Sequence, residues 1–264
     1  MSALFRCFSY CPLLQRVYIR ASHATLQSAL DEVISLESLV ELDYTFELAD
    51  RILPFLRLPR LKKLRVSSLG SEVRKAVDLL PYGGRVLLVG TTNMLCYSDQ
   101  LSLRVELSGG GVDVSLSTFR KTADPVPVDW FSDETCIPFG QIEDMRVEGW
   151  SATMDLPINV SAFENLGVLR VTPRNARFAK GLLCPLHPDQ GAGIPCQSIR
   201  EIEYTSWGSQ ERLIRPLISL VGERKRAGHQ LRLLRLTTTP GSDHLVEELR
   251  EHVGEVRVRV LNEL

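Results

Sequence analysis

An α/β solenoid of stacked short repeats is the fold class the sequence predicts, and two observations predict it. The first is one apolar pattern, anchor, two variable residues, anchor, one variable residue, anchor, that recurs along the chain. Its copies are Leu14, Val17, Ile19; Leu39, Leu42, Tyr44; Leu61, Leu64, Val66; Ile142, Met145, Val147; Leu166, Leu169, Val171; Ile199, Ile202, Tyr204; Leu231, Leu234, Leu236; and Val253, Val256, Val258. Two weaker copies, Val86, Val89, Thr91 and Gly111, Val114, Leu116, fill the middle. The second observation is spacing. The second anchors fall at 17, 42, 64, 89, 114, 145, 169, 202, 234 and 256, with successive separations of 25, 22, 25, 25, 31, 24, 33, 32 and 22 residues.

Most of those separations lie in or near the roughly 20 to 29 residues of a leucine-rich repeat, where each unit supplies one short strand and a returning helix or loop. The expected architecture is therefore a leucine-rich-repeat horseshoe with ten rungs. Residues 1–264 form one such domain, with an irregular hairpin and loop insertion at about 95–138. Length is no obstacle, because each unit of a solenoid touches only its neighbours.

The elements follow in order. Anchors on each strand point to the core, and the residues between them point the other way, since side chains alternate along a strand. After Leu61, Leu64 and Val66, Ser71 suits a helix N-cap, and Val73, Ala76, Val77 and Leu80 share one helical face that Pro81 ends. Leu48, Ile52 and Leu56 form a similar face, with a helix that Pro54 kinks or shortens. Leu101, Leu103, Val105 and Leu107 alternate with polar residues, then Gly109, Gly110 and Gly111 precede a second alternating run, Val112, Val114 and Leu116. Either a hairpin projects from the array, or its second strand is itself a rung with the first packed beside it. Lys121 to Pro138 and Leu183 to Pro195 read as long loops. Leu213, Leu217, Leu220 and Val221 make a helix closed by Gly228, and Leu245, Val246 and Leu249 make another before Val253.

Lys plus Arg is 31 and Asp plus Glu is 32, a net charge of -1 that offers no attraction to nucleic acid or an anionic membrane. No apolar run reaches the roughly 20 residues of a bilayer span, and the first residues lack a secretory leader's pattern. Cys7, Cys11, Cys96, Cys136, Cys184 and Cys196 are far apart, as befits reduced thiols in the cytoplasm or nucleus.

Several stretches imitate chemical motifs, and the repeat pattern explains them better. Six residues before the second anchor stand Cys11, Leu36, Leu58, Phe139, Phe163 and Cys196, so both cysteines occupy an apolar slot. Cys184, His187 and Cys196 lack a fourth ligand for zinc. The stretch VDLLPYGGRVLLVG, from Val77 to Gly90, has the look of a nucleotide-enzyme strand without the Gly-rich phosphate loop such a cofactor requires. His23, His187, His229, His244 and His252 are scattered, and no serine or cysteine sits in a nucleophile elbow. Glu223, Arg224, Lys225 and Arg226 suit a helix end, where positive charge complements the macrodipole, more than an import signal or a phosphate site. No catalytic residue, cofactor or metal is expected.

The phrases CQSIREIEYTSWGSQERLIRPLISLVGERKRAGHQLRLLRL and LVEELREHVGEVRV, within residues 196 to 258, resemble the leucine-rich-repeat portion of basidiomycete fungal F-box proteins. In that family an F-box engages the Skp1 adaptor of a cullin ubiquitin ligase and the repeats hold substrates. The resemblance implies a non-enzymatic substrate-recognition module for a protein partner. A Skp1-type adaptor is implied only with an F-box upstream, because the repeats here begin by Cys11 to Ile19. A truncated, non-functional paralogue or gene fragment is the alternative, and a nucleotide-cofactor enzyme a more distant one. The expected contact surface is the concave strand face, at Arg16, Tyr18, Glu41, Asp43, Lys63, Arg65, Asp144, Arg146, Arg170, Glu201, Glu203 and Arg235. Signs alternate along it, which suits a patterned protein and not a polyanion. Trp150 and Trp207, each five residues after a second anchor, are candidate rim contacts.

Overall fold

The computed structural model describes residues 2–20, 32–46, 51–68, 79–83, 87–98, 102–119, 139–149, 162–173, 175–188, 195–207 and 210–261. Its strands are β1 (Arg16–Arg20), β2 (Ile34–Ser35), β3 (Glu41–Phe46), β4 (Leu56–Arg57), β5 (Lys63–Ser68), β6 (Asn93–Ser98), β7 (Ser102–Gly109), β8 (Val112–Phe119), β9 (Asp144–Gly149), β10 (Val168–Pro173), β11 (Glu201–Thr205), β12 (Leu233–Thr238) and β13 (Glu255–Val260). Among the described residues the α-helices are α1 (Ser2–Ser9), α2 (Ala176–Leu183), α3 (Gln210–Arg226) and α4 (Asp243–Arg250).

The leucine-rich-repeat horseshoe is not what forms. The strands make a large mixed sheet of 11, mostly parallel, in the order β1-β3-β5-β8-β7-β6-β9-β10-β11-β12-β13, with β2 and β4 paired separately. Ten rungs in chain order are excluded, since β8 pairs with β5 in parallel while β7 pairs with β8 antiparallel, so chain order reverses there. The weak copy at Val86, Val89 and Thr91 makes no strand. Val86 lies outside the described residues, residues 87–90 form a turn, and Val89 is 63% exposed. The chain divides into two compact units, Met1–Met94 with Leu101–Pro138, and Leu95–Gln100 with Phe139–Leu264.

In the first unit the parallel pairs β1–β3, β3–β5 and β5–β8 stack Val17, Leu42, Leu64 and Val114 in register. All four are buried. Each such side chain contributes roughly 1.5 to 3 kcal/mol on burial, enough to set which face of every strand looks inward. Between β7 and β8 the chain reverses through Gly110 (φ 59) and Gly111 (φ 80), the positive φ at both central residues that a tight hairpin of matching twist demands. Gly109 (φ 131) lies where an added Cβ would sit 2.7 Å from the Thr92 nitrogen and 2.9 Å from the Gly90 oxygen. Of the expected helical face Leu48, Ile52 and Leu56, the described residues form only a 3-10 turn, over Leu53–Phe55 with Pro54 in its first positions, and Leu56 begins β4 instead. Leu48, and residues 71–78 of the helix expected from Ser71 to Leu80, lie outside the described residues.

The second unit repeats the logic through β9, β10, β11, β12 and β13, which stack Met145, Leu169, Ile202, Leu234 and Val256. Phe178 of α2 lies directly against Gly149, where no side chain obstructs it. The Asn175 side chain accepts from the Phe178 amide at 2.8 Å and caps α2. At the end of α3, Gly228 (φ 83) sends its amide to the Lys225 carbonyl and the His229 amide reaches the Arg224 carbonyl, the paired bonds of a glycine C-cap. Tyr204 on β11 buries its ring and donates its hydroxyl to the Leu213 carbonyl at 2.6 Å, pinning α3 to the sheet.

The slot six residues before each second anchor is also physical. The amides of Leu14, Leu39, Leu61, Ile142, Leu166 and Ile199 donate to the carbonyls of Cys11, Leu36, Leu58, Phe139, Phe163 and Cys196, so each strand is entered through the same turn. Cys11 departs from the expected apolar role, because it is exposed, whereas the other five are buried.

Replacing Gly109 by Ala adds a Cβ against two backbone atoms at a φ that L residues rarely adopt. The expected cost is about 1–3 kcal/mol, read as a lower urea midpoint with an unchanged slope. Tyr204→Phe removes the hydroxyl's bond to the Leu213 carbonyl and is expected to cost about 0.5–1.5 kcal/mol in the same assay.

Candidate functional site

Where anchors point inward, the intervening side chains emerge on the opposite face, and in-register parallel pairing sets them in lateral rows. In the first unit Arg16, Glu41, Lys63 and Asp113 occupy one row, and Tyr18, Asp43, Arg65 and Ser115 the next. Glu41 lies 3.7 Å from Arg16 and 2.9 Å from Lys63. Hydrogen bonding from the Lys63 ammonium, then from the Tyr18 phenol, holds its carboxyl below the ordinary carboxylate value, while the same carboxylate raises the Tyr18 phenol. Asp43 is 3.8 Å from Arg20, and Arg65 stands exposed.

In the second unit the rows are Asp144, Val168, Glu201, Leu233, Glu255 and Arg146, Arg170, Glu203, Arg235, Arg257. Arg170 stands beside Arg146, yet its guanidinium turns to Asp144 and, at 3.3 Å, to Glu203. Its pKa is raised chiefly by the hydrogen bond to Asp144. Arg235 pairs with Glu201, Arg146 with Glu148, and Arg257 with Glu255 at 2.7 Å. Unlike charges thus meet both along and across the strands. Each pair is partly solvated and contributes no more than about 1 kcal/mol, so the fold does not require them.

The twelve residues singled out from the sequence therefore fall into two patches of six, one on each unit. Sequence reasoning missed Arg20, Glu148, Glu255 and Arg257. The period of two that selected the others reaches Arg20 and Glu148 one step further along their strands, and the residues flanking Val256 are Glu255 and Arg257 themselves. Trp207 is 50% exposed just after β11, and Trp150 lies outside the described residues.

Cys184 is exposed, His187 Nδ1 sits 2.7 Å from Glu223, and burial pushes the Cys196 thiol up to about 11. Among the described residues no group of three or more His, Cys, Asp or Glu could hold a metal ion. Arg224 is fully buried, donating to the Pro195 carbonyl at 2.9 Å and the Cys196 carbonyl at 3.0 Å. Desolvation lowers its pKa, and its role is to tie α3 to the turn that enters β11, where Cys196 takes a left-handed φ of 47. Among the described residues no helix is long and apolar enough to cross a membrane.

No family model matches this chain, and no curated protein or solved structure does either.

Because the folded-state pKa of Glu41 is depressed, its pairing contributes above the ordinary carboxylate range and is lost as pH falls through the folded value. Lys63→Met is expected to raise the Glu41 titration midpoint, followed by carboxyl carbon NMR. A midpoint that does not move would show that Lys63 does not set it.

Proposed function

We propose that this chain is a protein-binding module without chemistry of its own, and that the charged strand face of the second unit is the surface that holds its partner. The observation that carries this reading is the pattern Asp144, Arg170, Glu203 with Glu201, Arg235, laid out in register across β9 to β12. Rigid neighbouring strands hold these groups apart at fixed spacing, so a partner with complementary charges meets side chains already ordered and loses less entropy on binding. Balanced signs select for pattern over net charge, which argues against a polyanion.

The resemblance of residues 196–258 to F-box proteins extends the reading to substrate recognition for a cullin ubiquitin ligase. A Skp1-type adaptor would enter only through an F-box ahead of these residues. The cysteines Cys7, Cys11, Cys96, Cys184 and Cys196 are free thiols, which supports a cytoplasmic or nuclear setting.

Glu201→Lys combined with Glu203→Lys reverses the acidic positions of one strand while leaving every anchor in place. The partner recovered by affinity capture with the unaltered chain is expected to bind the variant at least about tenfold more weakly, at an unchanged melting temperature within a few degrees. Equal recovery of that partner would exclude this face as the contact surface.

A further inference from the structure

We infer that β13 is a docking edge that accepts an extended segment of another protein, one alternating β-branched apolar residues with acidic ones. β13 pairs with β12 along one side, and among the described residues no strand pairs with its other side. The amides of Glu255 and Leu261 donate to the Arg232 and Thr238 carbonyls toward β12. Backbone groups alternate along a strand, so Arg257 and Arg259 share that orientation, and the N–H and C=O groups of Val256, Val258 and Val260 point to the open side. Among the described residues this row of backbone donors and acceptors has no strand beside it.

The side chains of the same strand specify the occupant. On the inward face, Leu236 and Thr238 of β12 are closed off, but their neighbours Val258 and Val260 are 37% and 50% exposed. A further strand with apolar residues on that face would cover them. On the outward face the edge carries Arg257 and Arg259 against the single carboxylate of Glu255, which already pairs with Arg257 and is held low by it, with Arg232 and Arg235 adding to the same effect. Arg259 has no ion pair among the described residues. The next strand's outward residues therefore meet net positive charge, and acidic side chains directly opposite stabilise the pairing. A second copy fits less well, because antiparallel pairing of two β13 edges centred on Val258, whose backbone faces the open side, sets Arg257 opposite Arg259. Strand addition of this kind draws affinity from the backbone and selectivity from alternate side chains. It does not rest on the charged-face reading, since its backbone contacts lie along the sheet edge, although Arg257 stands at the end of the same charged row.

The test is fluorescence anisotropy with two labelled peptides of about ten residues, one alternating valine with glutamate and one alternating valine with lysine. The glutamate peptide is expected to bind the intact chain about tenfold more tightly. Arg257→Glu together with Arg259→Glu is expected to reverse that preference. Val258→Pro removes an outward amide and is expected to weaken the glutamate peptide by at least about tenfold. Circular dichroism verifies that each variant folds; if Val258→Pro does not, the charge reversal decides alone. Failure of both peptides to bind would overturn the inference and leave the arginines as guards against aggregation. Equal binding of the two would overturn it too, as would self-association through β13 that excludes them.

Discussion

Alternation along a strand is the constraint on which the rest of this molecule depends. Once Leu42, Leu64, Leu169, Ile202 and Leu234 are buried, Asp43, Arg65, Arg170, Glu203 and Arg235 must leave by the other face. Parallel pairing in register then converts a sequence pattern into rows in space. The buried row supplies most of the stabilisation, at roughly 1.5 to 3 kcal/mol for each large side chain. The charged row supplies little, because its pairs remain wet. Stability and surface chemistry are thus carried by different residues of the same strands, and the surface can vary at small cost to the fold.

The connections enforce the register. Six second anchors, Val17, Leu42, Leu64, Met145, Leu169 and Ile202, are entered through a turn in which the first anchor's amide bonds to a carbonyl three residues earlier. Two of the long connections also carry polar pins: the Tyr204 hydroxyl on the Leu213 carbonyl, and the Arg224 guanidinium on the carbonyls of Pro195 and Cys196. A buried arginine held only by carbonyls keeps its charge at the expense of desolvation, which is why its pKa falls. That expense is tolerable because two directed bonds fix where α3 meets β11.

How far the sequence could be read follows from what its pattern measures. Anchor spacing reports which residues are buried, and there it served well: Leu39, Leu61, Ile142, Leu166, Ile199 and Leu231 are all inside. It does not report which strand lies beside which. The copy at Val114 is indistinguishable by spacing from its neighbours, yet its strand takes β5 on one side and the antiparallel β7 on the other. The copy at Val89 fits the spacing and is a turn, because Gly90 at φ 87 breaks the strand there. The strand that does form, β6, buries Met94 and Cys96 at positions the ten-copy pattern skips. Its outward Leu95 and Tyr97 hide the polar alternation that marks the other strands.

The charged residues were legible for the same reason that the strand order was not. Which way a side chain points depends on parity within one strand, a local property, whereas neighbour choice depends on long-range pairing that no window of residues contains. Arg20, Glu148, Glu255 and Arg257 obey the same parity as the residues identified at first, so extending the period by two in either direction recovers them. Parity also separates the two faces of β13. Its arginines belong to the charged rows, and its valines belong to the buried row at the point where cover by a neighbouring strand runs out. The edge thus exposes in one strand both classes of residue that the interior of the sheet keeps apart.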